Sequence, residues 1–292
     1  MTWAPLIGSL LARPARTPIG ADERALLDAV IAEPDADGPR LVYADWLQQH
    51  GDGARGELIA VQCALARLDH PAEHNRLKAR DFELVERHGN TWCAAVGIGD
   101  VRNNWHPSVW AADFQRGFIE AVEMPAHAFP SVVPPLFGVE PVRALRLIGH
   151  SDTLLRLPSS IYLQRLRSFG IRNLNANDDV LAHILSSPML TGLEQLQIED
   201  QELGRRTLDA LGRTTIRELS LRGANLDLAI HVLVRSPLAT QLEVLVLDGE
   251  VSDDAALVLV RTDALARVRR LSIATVSNSV RIQLAERFGA TA

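Results

Sequence analysis

One short pattern constrains this chain more than anything else in it: apolar-x-x-apolar-x-apolar, met seven times in register from residue 119 onward. The matches are Ile119/Val122/Met124, Val142/Leu145/Leu147, Leu166/Phe169/Ile171, Leu193/Leu196/Ile198, Ile216/Leu219/Leu221, Leu242/Leu245/Leu247 and Val268/Leu271/Ile273. Their starts lie 23, 24, 27, 23, 26 and 26 residues apart. The last two apolar positions of each match are two apart, so in a strand both side chains enter the same face and their neighbours take the other. Apolar residues spaced three and four apart then predict helices over Asp179 to Ser187, Arg205 to Leu211, Asp227 to Val234, Asp253 to Val260 and Val280 to Phe288. A single strand and helix cannot hide their own apolar side. Stacking successive units hides it, with parallel strands on one side and helices on the other.

The period and the L-x-x-L-x-L core resemble the leucine-rich-repeat family, nearest its ribonuclease-inhibitor-like form, over residues 118–288. The resemblance implies an α/β solenoid, a right-handed β-α superhelix of about seven parallel strands. The family's usual Asn at the ninth position is matched by Asn175 and Asn225, while Glu202 and Val251 stand there in two other repeats. The turn side is therefore expected to be less regular than the strands.

Residues 21 to 90 read as four short helices. Leu26, Leu27, Val30 and Ile31 line one helix that Pro34 ends, and Pro39 suits the first turn of the next, which Gly51 stops. Leu58, Val61, Leu65 and Leu68 predict a third, and Leu77, Leu84 and Val85 a fourth before Gly89. The run Asp37-Gly38-Pro39-Arg40-Leu41-Val42-Tyr43-Ala44-Asp45-Trp46-Leu47 is similar to the bacterial repeat-companion domain. So are Gly51-Asp52, Arg55-Gly56-Glu57-Leu58-Ile59-Ala60-Val61-Gln62, His88-Gly89 with Trp92, and Arg116-Gly117-Phe118-Ile119. That family is named for occurring beside repeats, so the likeness over about 21–124 implies a domain plan and no activity. The expected plan is an N-terminal arm over 1–20, a small all-α domain over 21–110 and the solenoid over 111–292.

Composition narrows the function. The net charge of −6 argues against nucleic-acid binding through a bulk basic field. No run reaches the roughly 20 apolar residues of a membrane span, and Trp3 to Ala12, apolar but followed rather than preceded by Arg13 and Arg16, reads as a tethered arm instead of a signal peptide. Two cysteines, Cys63 and Cys93, make no disulfide framework, which favours a reducing, cytoplasmic setting. With His70, His74 and His88 they are the one gathering of metal-type ligands, at spacings that fit no zinc motif, so neither metal nor cofactor is expected. G-x-S-x-G, H-E-x-x-H, Walker A and G-x-G-x-x-G motifs are all missing, and the glycines at 97 and 99 lack a nucleotide-binding context.

What remains is the outward row of each strand. The candidate partner-binding residues are Arg146, Arg172, Gln195, Gln197, Glu199, Glu218, Arg222, Val244, Val246, Asp248 and Arg270. One row, from Ile148 through Arg172, Glu199, Arg222 and Asp248 to Ala274, alternates in sign on adjacent strands, whose spacing of about 4.8 Å lets neighbours neutralise one another. A phosphate chain would meet no uncompensated arginine ladder, whereas a protein with mixed charges could exchange those pairs for its own. Residues 21 to 60 hold nine acids and three arginines, the balance of either an acidic docking surface or a solvated bundle. The expected function is non-catalytic binding of a protein partner. Inhibition of, or attack by, a co-encoded nuclease or protease is one alternative, and a hydrolase seated in the helical domain is another.

Overall fold

The computed structural model describes residues 19–68, 70–98, 111–149, 152–174, 176–223 and 226–289. The arm before Ile19, Gly99 and the two ninth-position asparagines, Asn175 and Asn225, lie outside the described residues. The chain is α/β: a helical front is followed by strands that hydrogen-bond in chain order, β1 to β8. It divides into two compact units, 1–120 with 131–141, and 121–130 with 142–292.

The first unit contains α1 (Ala21–Ala32), α2 (Asp37–Gln49), α3 (Gly53–Leu65) and α4 (Pro71–Ala95). Leu27, Val30, Tyr43, Ala44, Leu47, Ile59, Cys63 and Phe118 form one core cluster, and Leu58, Val61, Leu84 and Trp92 another. Pro39 lies in the first turn of α2, and Gly51 follows that helix at φ 97°. The fourth helix does not stop at Gly89. It continues to Ala95, because the bare glycine backbone is buried against Val85 and Phe114 and packing outweighs the intrinsic cost of glycine.

The same unit holds β1 (Ala111–Gln115) and the start of β2 (Phe118–Pro125), joined by Arg116 and Gly117 at φ 49° and 81°. Two consecutive positive φ angles make the tight turn that matches strand twist in a hairpin. At Gly117 a side chain would also overlap Ile59.

Each of the seven repeat matches ends inside one of seven strands. They are β2, β3 (Ala144–Ile148), β4 (Ser168–Arg172), β5 (Gln195–Glu199), β6 (Glu218–Gly223), β7 (Val244–Glu250) and β8 (Arg270–Thr275), each parallel to the next. The register aligns the inner pairs: Leu145 with Phe169, Phe169 with Leu196, Leu196 with Leu219, Leu219 with Leu245, Leu245 with Leu271. All are buried. Between strands run α5 (Phe129–Phe137), α6 (Asp178–Leu185), α7 (Arg205–Leu211), α8 (Asp227–Leu233), α9 (Asp253–Arg261) and, after the last strand, α10 (Asn278–Phe288); the β3–β4 link is 3-10 helical instead. Ile184, Leu208, Ile230, Leu259 and Leu284 are among their buried residues; in α8 the apolar pair four apart, Leu228 and Val232, is not the buried one, since Leu228 is exposed and Ala229, Ile230 and Leu233 are buried instead. Among the described residues no helix is long and apolar enough to cross a membrane.

Two devices join successive repeats. Two residues past the last apolar position of the five middle matches stand Gly149, Asn173, Asp200, Gly223 and Gly249. The first three have φ of 74°, 47° and 50°, a conformation left to Gly, Asn and Asp because other side chains crowd the carbonyl there. Gly149, Asn173 and Asp200 then donate N–H to the carbonyls of Arg172, Glu199 and Arg222 on the following strand. On the helical side, Asp178 accepts from the amides of Arg206 and Thr207, Asp227 from Ser252 and Asp253 from Ser277, at 2.8 to 2.9 Å. Each carboxylate therefore holds the start of the next helix.

These bonds hold the Asp253 carboxyl below the usual range, and they do the same at Asp178 against an opposing desolvation. A depressed folded value means that the contribution is complete above the unfolded pKa of about 3.9 and is lost as pH falls through the folded one. Asp253→Asn is thus expected to be less stable than the parent chain in urea at neutral pH, with the gap closing as the solution is acidified below the unfolded value.

Candidate functional site

The outward rows of β3 to β8 form an extended face whose residues alternate with the buried leucines. Arg146, Arg172, Gln195, Gln197, Glu199, Glu218, Val244, Val246 and Asp248 are half-exposed, and Arg222 and Arg270 exposed. The register sets Arg172 beside Glu199, Glu199 beside Arg222 and Arg222 beside Asp248. One member of that row differs from expectation: Ile148 is buried at 6% exposure. An isoleucine gains by leaving water wherever neighbouring side chains can cover it.

The charges are joined differently from a simple neighbour-to-neighbour ladder. Arg222 binds Asp248 at 2.6 Å and approaches Glu199 at 3.8 Å. Arg172 reaches across to Glu123 on β2, at 3.2 Å, and Glu123 also meets Arg146 at 3.3 Å. Arg146 in turn spans β4 to donate to the side-chain oxygen Oε1 of Gln197 and approach Glu199 at 3.8 Å. The result is one continuous network, Arg172–Glu123–Arg146–Glu199–Arg222–Asp248, over six strands.

Gly170 makes the long reach possible. It pairs with Arg146 on one side and Gln197 on the other, and a Cβ built on it would lie 2.9 Å from Arg146 Cγ and 3.1 Å from its Nε. The missing side chain is the channel through which the guanidinium crosses. Gly170→Ala is expected to displace Arg146 from Gln197, visible as loss of the contact in a crystal structure. The cost should stay within about 1 kcal/mol, because the obstructed group is a flexible, partly solvated side chain. On β7 and β8 the register sets Val244 beside the exposed Arg270 and Val246 beside Ser272.

The first unit shows what sequence reasoning missed. Arg40 is fully buried and donates to the Pro34, Gln115 and Arg116 carbonyls and to Glu120, the last at 2.6 Å. Arg55 donates to Glu140 at 3.2 Å, with its guanidinium 5.1, 5.0 and 5.6 Å from the rings of Trp92, Phe114 and Phe118. Burial pushes the Glu140 carboxyl upward while Arg55 and the Ile119 amide hold it back. Gln62 is likewise inside, donating to Asp81 and accepting from the Gly117 amide, both at 2.6 Å. A signal for this existed. Arg40 stands at helix spacing with Tyr43, Ala44 and Leu47, and Arg55 with Leu58, Ile59 and Gln62, so each arginine sits on the apolar stripe of its own helix.

The residues that carry the repeat-companion likeness thus have structural partners: Arg40 and Arg55 as described, Asp52 capping α3 through the Arg55 amide, and Asp37 paired with Arg67 at 2.5 Å. Cys63 is buried, and burial, with Asp37 second, pushes its thiol up to about 12. At neutral pH it is a protonated core residue and a poor nucleophile. Among the described residues no group of three His, Cys, Asp or Glu side chains is placed to hold a metal ion. Comparison with protein-family models and with curated proteins finds no match to this chain.

Proposed function

We propose that the chain is a repeat-companion domain followed by a ribonuclease-inhibitor-like leucine-rich-repeat solenoid, and that it works without catalysis, by holding a protein partner on the outward rows of β3 to β8. The observation that carries this reading is the six-strand charge network. Its members lie at moderate exposure, each already compensated, so that a partner can replace one ion pair by another without leaving a charge unpaired. Bare phosphates would compete poorly for arginines already matched by carboxylates. The apolar Val244 and Val246 beside them supply the kind of less charged patch that interface centres favour. The pair of buried thiols fits a cytoplasmic setting.

The test is affinity capture from native lysate by three forms of the full chain. Arg172→Glu with Arg222→Glu inverts two network members, and Arg205→Glu alters an exposed arginine on a helix. Proteins retained by the parent and by Arg205→Glu, and lost from the double variant, support the reading. Identical capture by all three overturns it, as does reproducible turnover of a substrate by the purified chain.

A further inference from the structure

The first unit contains a cavity of about 440 Å³, inside the range of about 300–1,000 Å³ usual for ligand pockets. One wall is a column of rings: Tyr43 and Trp46 have centroids 5.9 Å apart, Trp46 and His50 4.0 Å, each pair within 11° of parallel. Two carboxylates join that wall, Glu23 and Asp52. Their hydrogen-bond partners, the Tyr43 hydroxyl and the Arg55 amide, are both neutral. Deeper in, Arg55 and Glu140 neutralise one another.

The wider surface has the same sign. Of the three arginines between residues 21 and 60, Arg40 and Arg55 are buried in ion pairs and Arg24 is paired with Asp28 at 2.7 Å. Arg67 and Arg80 from outside the stretch pair with Asp37 and Glu57, and Asp22, Asp28, Glu33, Asp35 and Asp45 are its exposed acids.

We propose that this cavity receives a basic side chain, arginine or lysine, presented by a partner polypeptide. The methylene stem lies along the rings and Leu27, and the cationic head meets Glu23 and Asp52. An acidic ligand is disfavoured by the same two carboxylates, and a wholly apolar one would leave both desolvated without a cation. The site is independent of the sheet face, so either can fail alone.

The experiment is calorimetric titration of the full chain with a capped leucine-arginine-leucine tripeptide, its lysine counterpart and its citrulline counterpart, which keeps the arginine shape without the charge. Saturable one-to-one binding of the first two is expected, at least tenfold weaker for citrulline and weakening as salt rises. Trp46→Leu, and separately Glu23→Gln with Asp52→Asn, should each weaken arginine binding tenfold or more. The carboxylate pair is nearly isosteric and keeps the cap at Asp52, so it serves even if Trp46→Leu folds poorly. Arg205→Ala, at an exposed helix position, should leave binding unchanged. Lack of saturation, equal binding of citrulline, or indifference to the carboxylate variant overturns the proposal. So does binding that appears only after residues 1–18 are removed, which would assign the cavity to the chain's own Trp3–Ala12 segment.

Discussion

Glu140→Ala is expected to lower the stability of the first unit by about 3–5 kcal/mol, because it strands the Arg55 guanidinium in the interior without its counter-charge. Arg55 and Glu140 side chains are only 8% and 6% exposed, so water cannot replace the lost partner. The Ile119 amide, which donates to the same carboxylate at 2.8 Å, loses its acceptor as well. Replacing both charges, as Arg55→Met with Glu140→Leu, should cost much less than the two single changes added together, since a buried pair removed as a unit takes its own desolvation penalty with it. Urea denaturation of the four chains in a double-mutant cycle measures this directly. Additive losses would mean that the two groups do not depend on each other.

Leu219→Ala is expected to cost about 2–5 kcal/mol in the same measurement, through lost transfer energy and the cavity left in a close-packed interior. Leu219 is 1% exposed at the middle of β6, with Leu196 and Leu245 beside it in register. Three residues on, Arg222 has a side chain 53% exposed, and Arg222→Ala should change stability by no more than about 0.5 kcal/mol. Similar losses at the two positions would contradict the facing of the sheet.

That facing is legible in the sequence. Inner and outer residues alternate because a strand has a period of two, and seven matches in one phase leave the alternation no freedom to slip. The helices between strands were equally legible, from spacings of three and four. What escaped was whatever depends on a third element. Arg146 passes over Gly170 to Gln197 two strands away, and Arg172 reaches Glu123 in the other direction, so the network is wired differently from the neighbouring pairs that the row suggests. A row of letters shows which charges are adjacent, not how far a long side chain can lean.

The helical unit makes the same point from inside. Its cluster of acids and arginines reads from composition as surface, yet Arg40 and Arg55 are among its most buried groups. Each is tolerable there only because carbonyls, carboxylates and rings arrive from segments 59 to 85 residues distant. Periodicity by itself determined the strands, the helices and the buried leucines, since those follow from local geometry repeated along the chain. Tertiary structure alone decided which charges go inside, how the sheet face is cross-linked and where a cavity opens, because a charge is placed by its partners and those are remote in sequence.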